Sequence, residues 1–83
     1  MSALILFRTL LYAQRGQRLL SLNGIPGTVV KAPRGTEEKG CTYAVRLSAR
    51  RLERALEIFR KEEYPYGRVF LLTPEGDLKE AER

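Results

Sequence analysis

The sequence contains no histidine, a single cysteine and a single aspartate. Without histidine there is no imidazole acid or base, no histidine-based catalytic triad and no histidine metal ligand. One cysteine cannot form a disulfide within the chain or build an all-cysteine metal site. Most enzyme chemistry and a bound metal are therefore not expected, and Cys41 is the candidate that stands out for covalent chemistry.

Long hydrophobic runs are also missing. The longest uninterrupted apolar segment covers residues 3–7, far below the roughly 20 residues of a membrane-spanning helix. Only Met1 and Ser2 precede this segment, without the positive charge that begins a signal peptide. These absences predict a cytoplasmic protein with no membrane partner.

Acidic residues are absent from the first 36 positions, so the net charge of +5 lies entirely in the first half of the chain. A basic surface there attracts nucleic acid, an acidic protein or a small anion. An arginine-rich composition gives the same charge without any binding function, and the charge alone leaves these alternatives open. The basic residues of the first half are Arg8, Arg15, Arg18, Lys31 and Arg34.

The pattern of apolar residues predicts one small domain over residues 1–73, followed by a polar tail, residues 74–83, without assigned structure. Strands are predicted at residues 3–7, 28–31, 42–47 and 68–72, with helices at 10–22 and 49–63 that begin after the capping residues Thr9 and Ser48. This order predicts a ferredoxin-like α+β fold, βαββαβ, with a four-stranded antiparallel sheet and both helices on one face. The third strand should lie between the first and second, with the fourth on the other side of the first.

Strand alternation assigns apolar residues to the sheet face that the helices leave open. Such a face exceeds the scattered apolar residues of an ordinary monomer surface. We therefore expect a second copy of the chain to cover it in a two-fold homodimer, the alternative cover being the tail. The predicted interface residues are Val29, Ala44, Phe70 and Leu72.

The predicted topology also collects basic residues around Cys41. The end of the first strand, the start of the first helix, the hairpin loop and the start of the third strand meet at one end of the sheet. A helix N-terminus and nearby cations favour the thiolate form of a cysteine and also bind small anions. The alternative is an inert, buried thiol. The residues expected to stabilise a thiolate or anion are Arg8, Thr9, Arg34 and Lys39.

Three short motifs resemble a family of small selenium/sulfur carrier protein-like domains. They are Gly24-Ile25-Pro26, Pro33-Arg34, and Gly40-Cys41 at the opening of a strand, and the resemblance covers residues 3–72. It implies that Cys41 is the carrier atom, with Pro33-Arg34 as its neighbouring motif. In that family glycine usually follows the cysteine, whereas Thr42 follows it here.

The leading functional hypothesis is a carrier rather than an enzyme. Cys41 accepts a sulfane sulfur or selenium as a persulfide or selenosulfide and hands it from a donor protein to an acceptor protein. No cofactor is expected beyond this covalently carried atom. A lone cysteine is consistent with the role, because a second one would discharge the persulfide as a disulfide.

Two alternatives remain at this stage. RNA-recognition domains share the predicted topology, and Lys39-Gly40-Cys41-Thr42-Tyr43 matches part of their third-strand motif. The motif lacks its first aromatic residue, so nucleic acid is the less favoured partner. The other alternative is a domain without catalytic function that only binds protein.

Overall fold

A computed structural model describes residues 1–34, 36 and 42–81 of the chain. Within these residues the fold is α+β, with two α-helices and one five-stranded antiparallel sheet whose strands, numbered in chain order, lie side by side as second, third, first, fourth and fifth. The elements are β1 (Ser2–Phe7), α1 (Leu10–Leu22), β2 (Thr28–Lys31), β3 (Tyr43–Ser48), a 3₁₀ turn (Ala49–Arg51), α2 (Leu52–Lys61), β4 (Val69–Leu72) and β5 (Leu78–Ala81).

The fifth strand corrects the predicted four-stranded sheet and the unstructured tail. Residues 78–81 pair with β4, so that Leu78 lies opposite Leu72 and Glu80 opposite Phe70. The turn between the strands is closed by the backbone N–H of Thr73, which donates to the Asp77 carbonyl at 2.9 Å. The neighbours among β1 to β4 are those that the sequence predicted.

The predicted bounds of α1 are confirmed, because both of its ends have strong local determinants. Thr9 caps the helix: its Oγ1 accepts a hydrogen bond from the backbone N–H of Tyr12 at 3.1 Å. At the other end, Gly24 adopts φ +80° and the N–H of Ile25 donates to the Leu20 carbonyl at 2.9 Å. This is the Schellman arrangement that ends many helices.

The second helix differs from its prediction at both ends. Ser48 makes no side-chain capping bond, and residues 49–51 form the 3₁₀ turn, so α2 itself begins at Leu52. It ends at Lys61, where Glu63 takes φ 53° and the N–H of Tyr64 donates to the Phe59 carbonyl at 2.8 Å. In the described part of the chain, neither helix is long and apolar enough to cross a membrane.

Both helices pack on the same face of the sheet. The main core combines buried residues of both helices, such as Ala13 and Phe59, with alternate residues of the strands, such as Ile5 and Val45. Gly16 allows α1 to lie close to β1, because a Cβ at this position would stand 2.8 Å from Cζ of Phe7. The helix glycine therefore serves packing on the sheet.

The open face is apolar, but it is buried within the single chain. Its central residues are at most 4% exposed and form a second cluster, Leu4, Leu6, Ala44 and Phe70, against which Val30, Ala32 and Leu78 pack. We expected a homodimer because this face should expose apolar residues. For these residues that reason is wrong.

The sheet faces assigned to the predicted interface residues have different outcomes. Ala44 and Phe70 lie on the open face as expected, and Leu72 pairs with Leu78 of β5. Val29 was placed on the wrong face: it pairs with Val45 and packs against the helix-side core. Both Val29 and Val30 are apolar, so only the register with β3 distinguishes the two faces of β2.

Candidate functional site

The start of β3 lies beside the end of β1 and the start of α1. The Thr42 hydroxyl donates to the carbonyl of Arg8 at 3.5 Å, and the N–H of Ala32 donates to the carbonyl of Thr42 at 3.0 Å. The N–H of Gly67 donates to the Leu6 carbonyl at 2.7 Å. We call this region the Thr42 end of the sheet; β1 and β2 end there, and β3 and β4 begin there.

Aromatic rings hold the Thr42 end together on the helix side. The ring of Phe7, the last residue of β1, meets the rings of Phe59 and Tyr64 edge to face, with centroids 5.7 and 6.0 Å away. The Tyr64 hydroxyl donates to the carbonyl of Tyr12 at 2.7 Å. The first turn of α1 is thereby fixed to the segment that leads into β4, and such ring pairs add about 0.5–1.5 kcal/mol each beyond burial.

The environment of Tyr64 also changes its ionisation. Burial disfavours the charged phenolate and raises the pKa of Tyr64 above its ordinary value of 10.0. The positive charge of Arg15 opposes this shift, and Tyr12 adds to it. Tyr64 thus stays a neutral hydrogen-bond donor throughout the neutral pH range.

The residues predicted to surround Cys41 are only partly described. Cys41 and Lys39 lie outside the described residues. Arg8 and Thr9 are exposed beside Thr42, the residue that follows Cys41 in the sequence, although the Thr9 hydroxyl oxygen is already engaged in capping α1. Arg34 is exposed in the turn after β2, where the Pro33 carbonyl accepts from the N–H of Thr36 at 3.2 Å.

Two contacts at this end were not predicted from the sequence. The hydrogen bond from Thr42 to Arg8 joins residues far apart in the chain, and Thr42 was singled out only for replacing a glycine. The bond from Tyr64 to Tyr12 spans 52 positions. The sequence pattern that hints at it is the aromatic pair Tyr64 and Tyr66 directly after α2, since both rings contact Phe59.

Among the described residues, the open face presents no exposed aromatic ring on which RNA bases could stack. RNA-recognition domains present exposed aromatic rings on the central strands. Here Tyr43 packs against the helix-side core, and Phe70 is buried with the Arg68 guanidinium 4.9 Å from its ring centroid. The described part of the open face therefore offers no exposed aromatic ring.

Basic residues also occur at the opposite end of the sheet. Ser48, Arg50 and Arg51 line an open depression where β3 passes into the 3₁₀ turn. Because β3 runs away from Thr42, this depression lies far from the Thr42 end. Among the described residues, no three acidic side chains lie close enough together to hold a metal ion.

Comparison with known proteins gives one match. A family model described as "Putative Se/S carrier protein-like" matches residues 2–71, from the first residue of β1 to the third residue of β4. The match includes position 41, and β5 lies beyond it. No curated protein and no solved structure matches the chain.

Proposed function

Because the chain belongs to the Se/S carrier protein-like family, we propose that it carries a sulfur or selenium atom on Cys41 and passes it to a partner protein. The observation that carries the proposal is the family match over residues 2–71, which contains the only cysteine of the sequence. Sulfane sulfur is held in proteins on a thiolate. The sulfur of Cys41 is therefore the one atom of this chain that can be loaded in this way.

Loading is a thiol exchange on the sulfane sulfur of a donor. The Cys41 thiolate attacks the terminal sulfur of a donor persulfide, a new S–S bond forms, and the S–S bond of the donor breaks. The donor cysteine leaves as a thiolate and takes up a proton. The transferred sulfur keeps its oxidation state, so no external oxidant is needed. Attack by an acceptor thiolate on the Cys41 persulfide then completes the transfer. A donor with a terminal selenium follows the same scheme.

The described residues at the Thr42 end support this chemistry. Arg8 is exposed there, its carbonyl bonded to the residue that follows Cys41, and α1 begins two residues later with no acidic residue in its first turn. Positive charge and the N-terminus of a helix stabilise an anionic sulfur. We include Arg34 and Lys39 in this role because they occupy the same connection between β2 and β3.

An isotope-transfer experiment tests the proposal. The chain is incubated with a cysteine desulfurase and cysteine labelled with a heavy sulfur isotope, reisolated, and exposed to an acceptor thiol. We expect the label on the peptide that contains Cys41 and then on the acceptor. Label that never reaches the chain, or that stays bound to it, contradicts a carrier function.

The role of the basic residues has its own variants. Arg34→Ala should slow loading several-fold while leaving stability unchanged, since an exposed turn arginine contributes little to the fold. Arg50→Ala is the matched control, because it removes the same charge at the opposite end of the sheet. Equal rates for both variants and the unmodified chain would remove Arg34 from the site.

A further inference from the structure

The exposed large hydrophobic side chains of the described residues are concentrated on one helix. Four of them belong to α1, namely Leu10, Leu11, Tyr12 and Leu22, and Met1 is the other. Leu11 is 53% exposed and Leu22 is 76% exposed. Single exposed leucines are normal on a protein surface, but α1 exposes four large apolar side chains along its short length.

The helical arrangement of α1 determines which of these side chains share one side of the helix. Ala13, Gly16 and Leu20 are the buried side of the helix. At about 3.6 residues per turn, the opposite side presents Leu11 and Leu22 near the two ends, with arginines between them. We call this side the outer face of α1, and it consists of Leu11, Gln14, Arg15, Arg18 and Leu22.

The outer face carries positive charge that no acidic residue of the described part of the chain pairs with. The helix contains no acidic residue. Among the described residues, neither Arg15 nor Arg18 forms an ion pair with a carboxylate. The outer side of α2 differs, because it mixes acidic residues such as Glu53 and Glu57 with basic ones and carries no exposed large hydrophobic side chain among those described.

We propose that the outer face of α1 docks an acidic, amphipathic helix of the protein that exchanges sulfur with Cys41. Glutamate or aspartate side chains of the partner would pair with the two arginines, and its apolar side chains would cover Leu11 and Leu22. Helix surfaces of this kind are recognised through apolar anchors at helical spacing, and charge complementarity sets their specificity. A membrane suits the face less well, because its two leucines are separated by arginines over about 16 Å.

The position of this face relates it to the carrier site. Its first residue, Leu11, lies in the first turn of α1, which begins directly after Thr9, and the Arg8 carbonyl accepts from the Thr42 hydroxyl. A partner helix lying along α1 would therefore have one end at the Thr42 end of the sheet. That the docked protein is the sulfur donor or acceptor rests on the proposed function, whereas the docking itself does not.

Binding is tested with a fluorescent synthetic peptide that forms a helix with leucines on one side and glutamates on the other. The fluorescence anisotropy of the peptide reports its binding to the chain. A peptide with lysine in place of glutamate is the charge control. We expect binding of the acidic peptide alone, weakened by added salt. Arg18→Glu should weaken it about tenfold, and the matched α2 variant Arg54→Glu, with the same change in net charge, should weaken it about twofold at most. Leu11→Ala with Leu22→Ala should also weaken it, without any change in charge.

Two outcomes would overturn the docking proposal. Equal losses in Arg18→Glu and Arg54→Glu would show attraction to net charge alone. Tighter binding of a single-stranded RNA oligonucleotide that depends on Arg18, with no peptide binding, would assign the face to nucleic acid.

Measurements of sulfur transfer distinguish the docking proposal from the proposed carrier function. The same acidic peptide, bearing a cysteine persulfide at one end, should load Cys41 faster than its lysine counterpart, and free cysteine persulfide should load the unmodified chain and Arg18→Glu equally. Loading by cysteine persulfide without any advantage of the acidic peptide refutes docking and leaves the carrier intact. Peptide binding without loading by either donor refutes the carrier and leaves the docking face intact.

Discussion

The hydroxyl of Tyr64 donates a 2.7 Å hydrogen bond to the backbone carbonyl of Tyr12. This bond connects the first turn of α1 to the segment between α2 and β4, and the two rings lie 6.1 Å apart. The start of α1 also adjoins Arg8, whose carbonyl bonds Thr42. The contact thus braces the same end of the sheet that carries the proposed site.

Tyr64→Phe tests this brace, because it removes the hydroxyl and keeps the ring. We expect the free energy of unfolding to fall by about 1 kcal/mol, the usual net contribution of such a hydrogen bond. Urea unfolding followed by circular dichroism measures it. Tyr66→Phe is the control, since no hydrogen bond of the Tyr66 hydroxyl is seen among the described residues and its ring also packs on Phe59. Equal effects of the two variants would contradict the brace.

The Tyr64 hydroxyl should also make the stability of the fold depend on pH in the alkaline range. Burial raises the pKa of Tyr64 in the folded chain above 10.0, whereas the unfolded chain ionises near that ordinary value. Its contribution to stability is fully present below about pH 10 and is lost as the pH rises through the folded pKa. Stability measured against pH should therefore decline less steeply above pH 10 in Tyr64→Phe. Identical slopes would show that the phenol is not shifted.

The two helix ends give a matched pair of predictions. Gly24 and Glu63 both occupy the left-handed position after a helix, with φ +80° and 53°. Glu63→Gly should raise the free energy of unfolding by about 1 kcal/mol, because glycine adopts this conformation without strain. Gly24→Ala should lower the free energy of unfolding by about the same amount. The cause is conformational, because no heavy atom beyond the two chain neighbours lies within 4 Å of the added Cβ. Thermal unfolding of both variants measures these effects, and shifts of the same sign would contradict the account.

The pairing of β5 with β4 lets us predict the effect of a C-terminal truncation. Removal of residues 77–83 leaves one edge of β4 unpaired and uncovers the side of the open-face cluster against which Leu78 packs. We expect stability to fall by about 2 kcal/mol and self-association to increase, as exposed strand edges and apolar faces promote it. Glu80→Gln is the control: it keeps β5 and weakens an exposed ion pair with Arg68, which normally contributes less than about 1 kcal/mol. A truncated chain as stable and monomeric as the full chain would contradict a structural role for β5.

The extent to which the sequence predicts the fold depends on how local the determinants are. The bounds of α1 follow from Thr9 and Asn23-Gly24, which act on their immediate neighbours. β5 was missed because Leu78 is its only sizeable apolar residue, and the strand exists through pairing with β4. The turn before β5 contains Gly76 at φ 91°. A glycine there indicates a hairpin, but the polar residues around it obscured this signal in the sequence.

The candidate site was predicted to a smaller extent. Topology alone predicts that Arg8, Thr9 and the start of β3 meet, since the ends of neighbouring strands lie together. The burial of Phe70 and Ala44 within one chain did not follow from alternation, which assigns a face but not what packs against it. Cys41 and Lys39 lie outside the described residues, so their placement remains a prediction from the sequence.

The most direct test of the central claim is the intact mass of the chain after incubation with a cysteine desulfurase and cysteine. The account predicts a mass increment of one sulfur atom, which a thiol reductant removes and which Cys41→Ser does not acquire. A wild-type chain that gains no mass, or a Cys41→Ser chain that gains the same increment, would contradict a carrier function of Cys41.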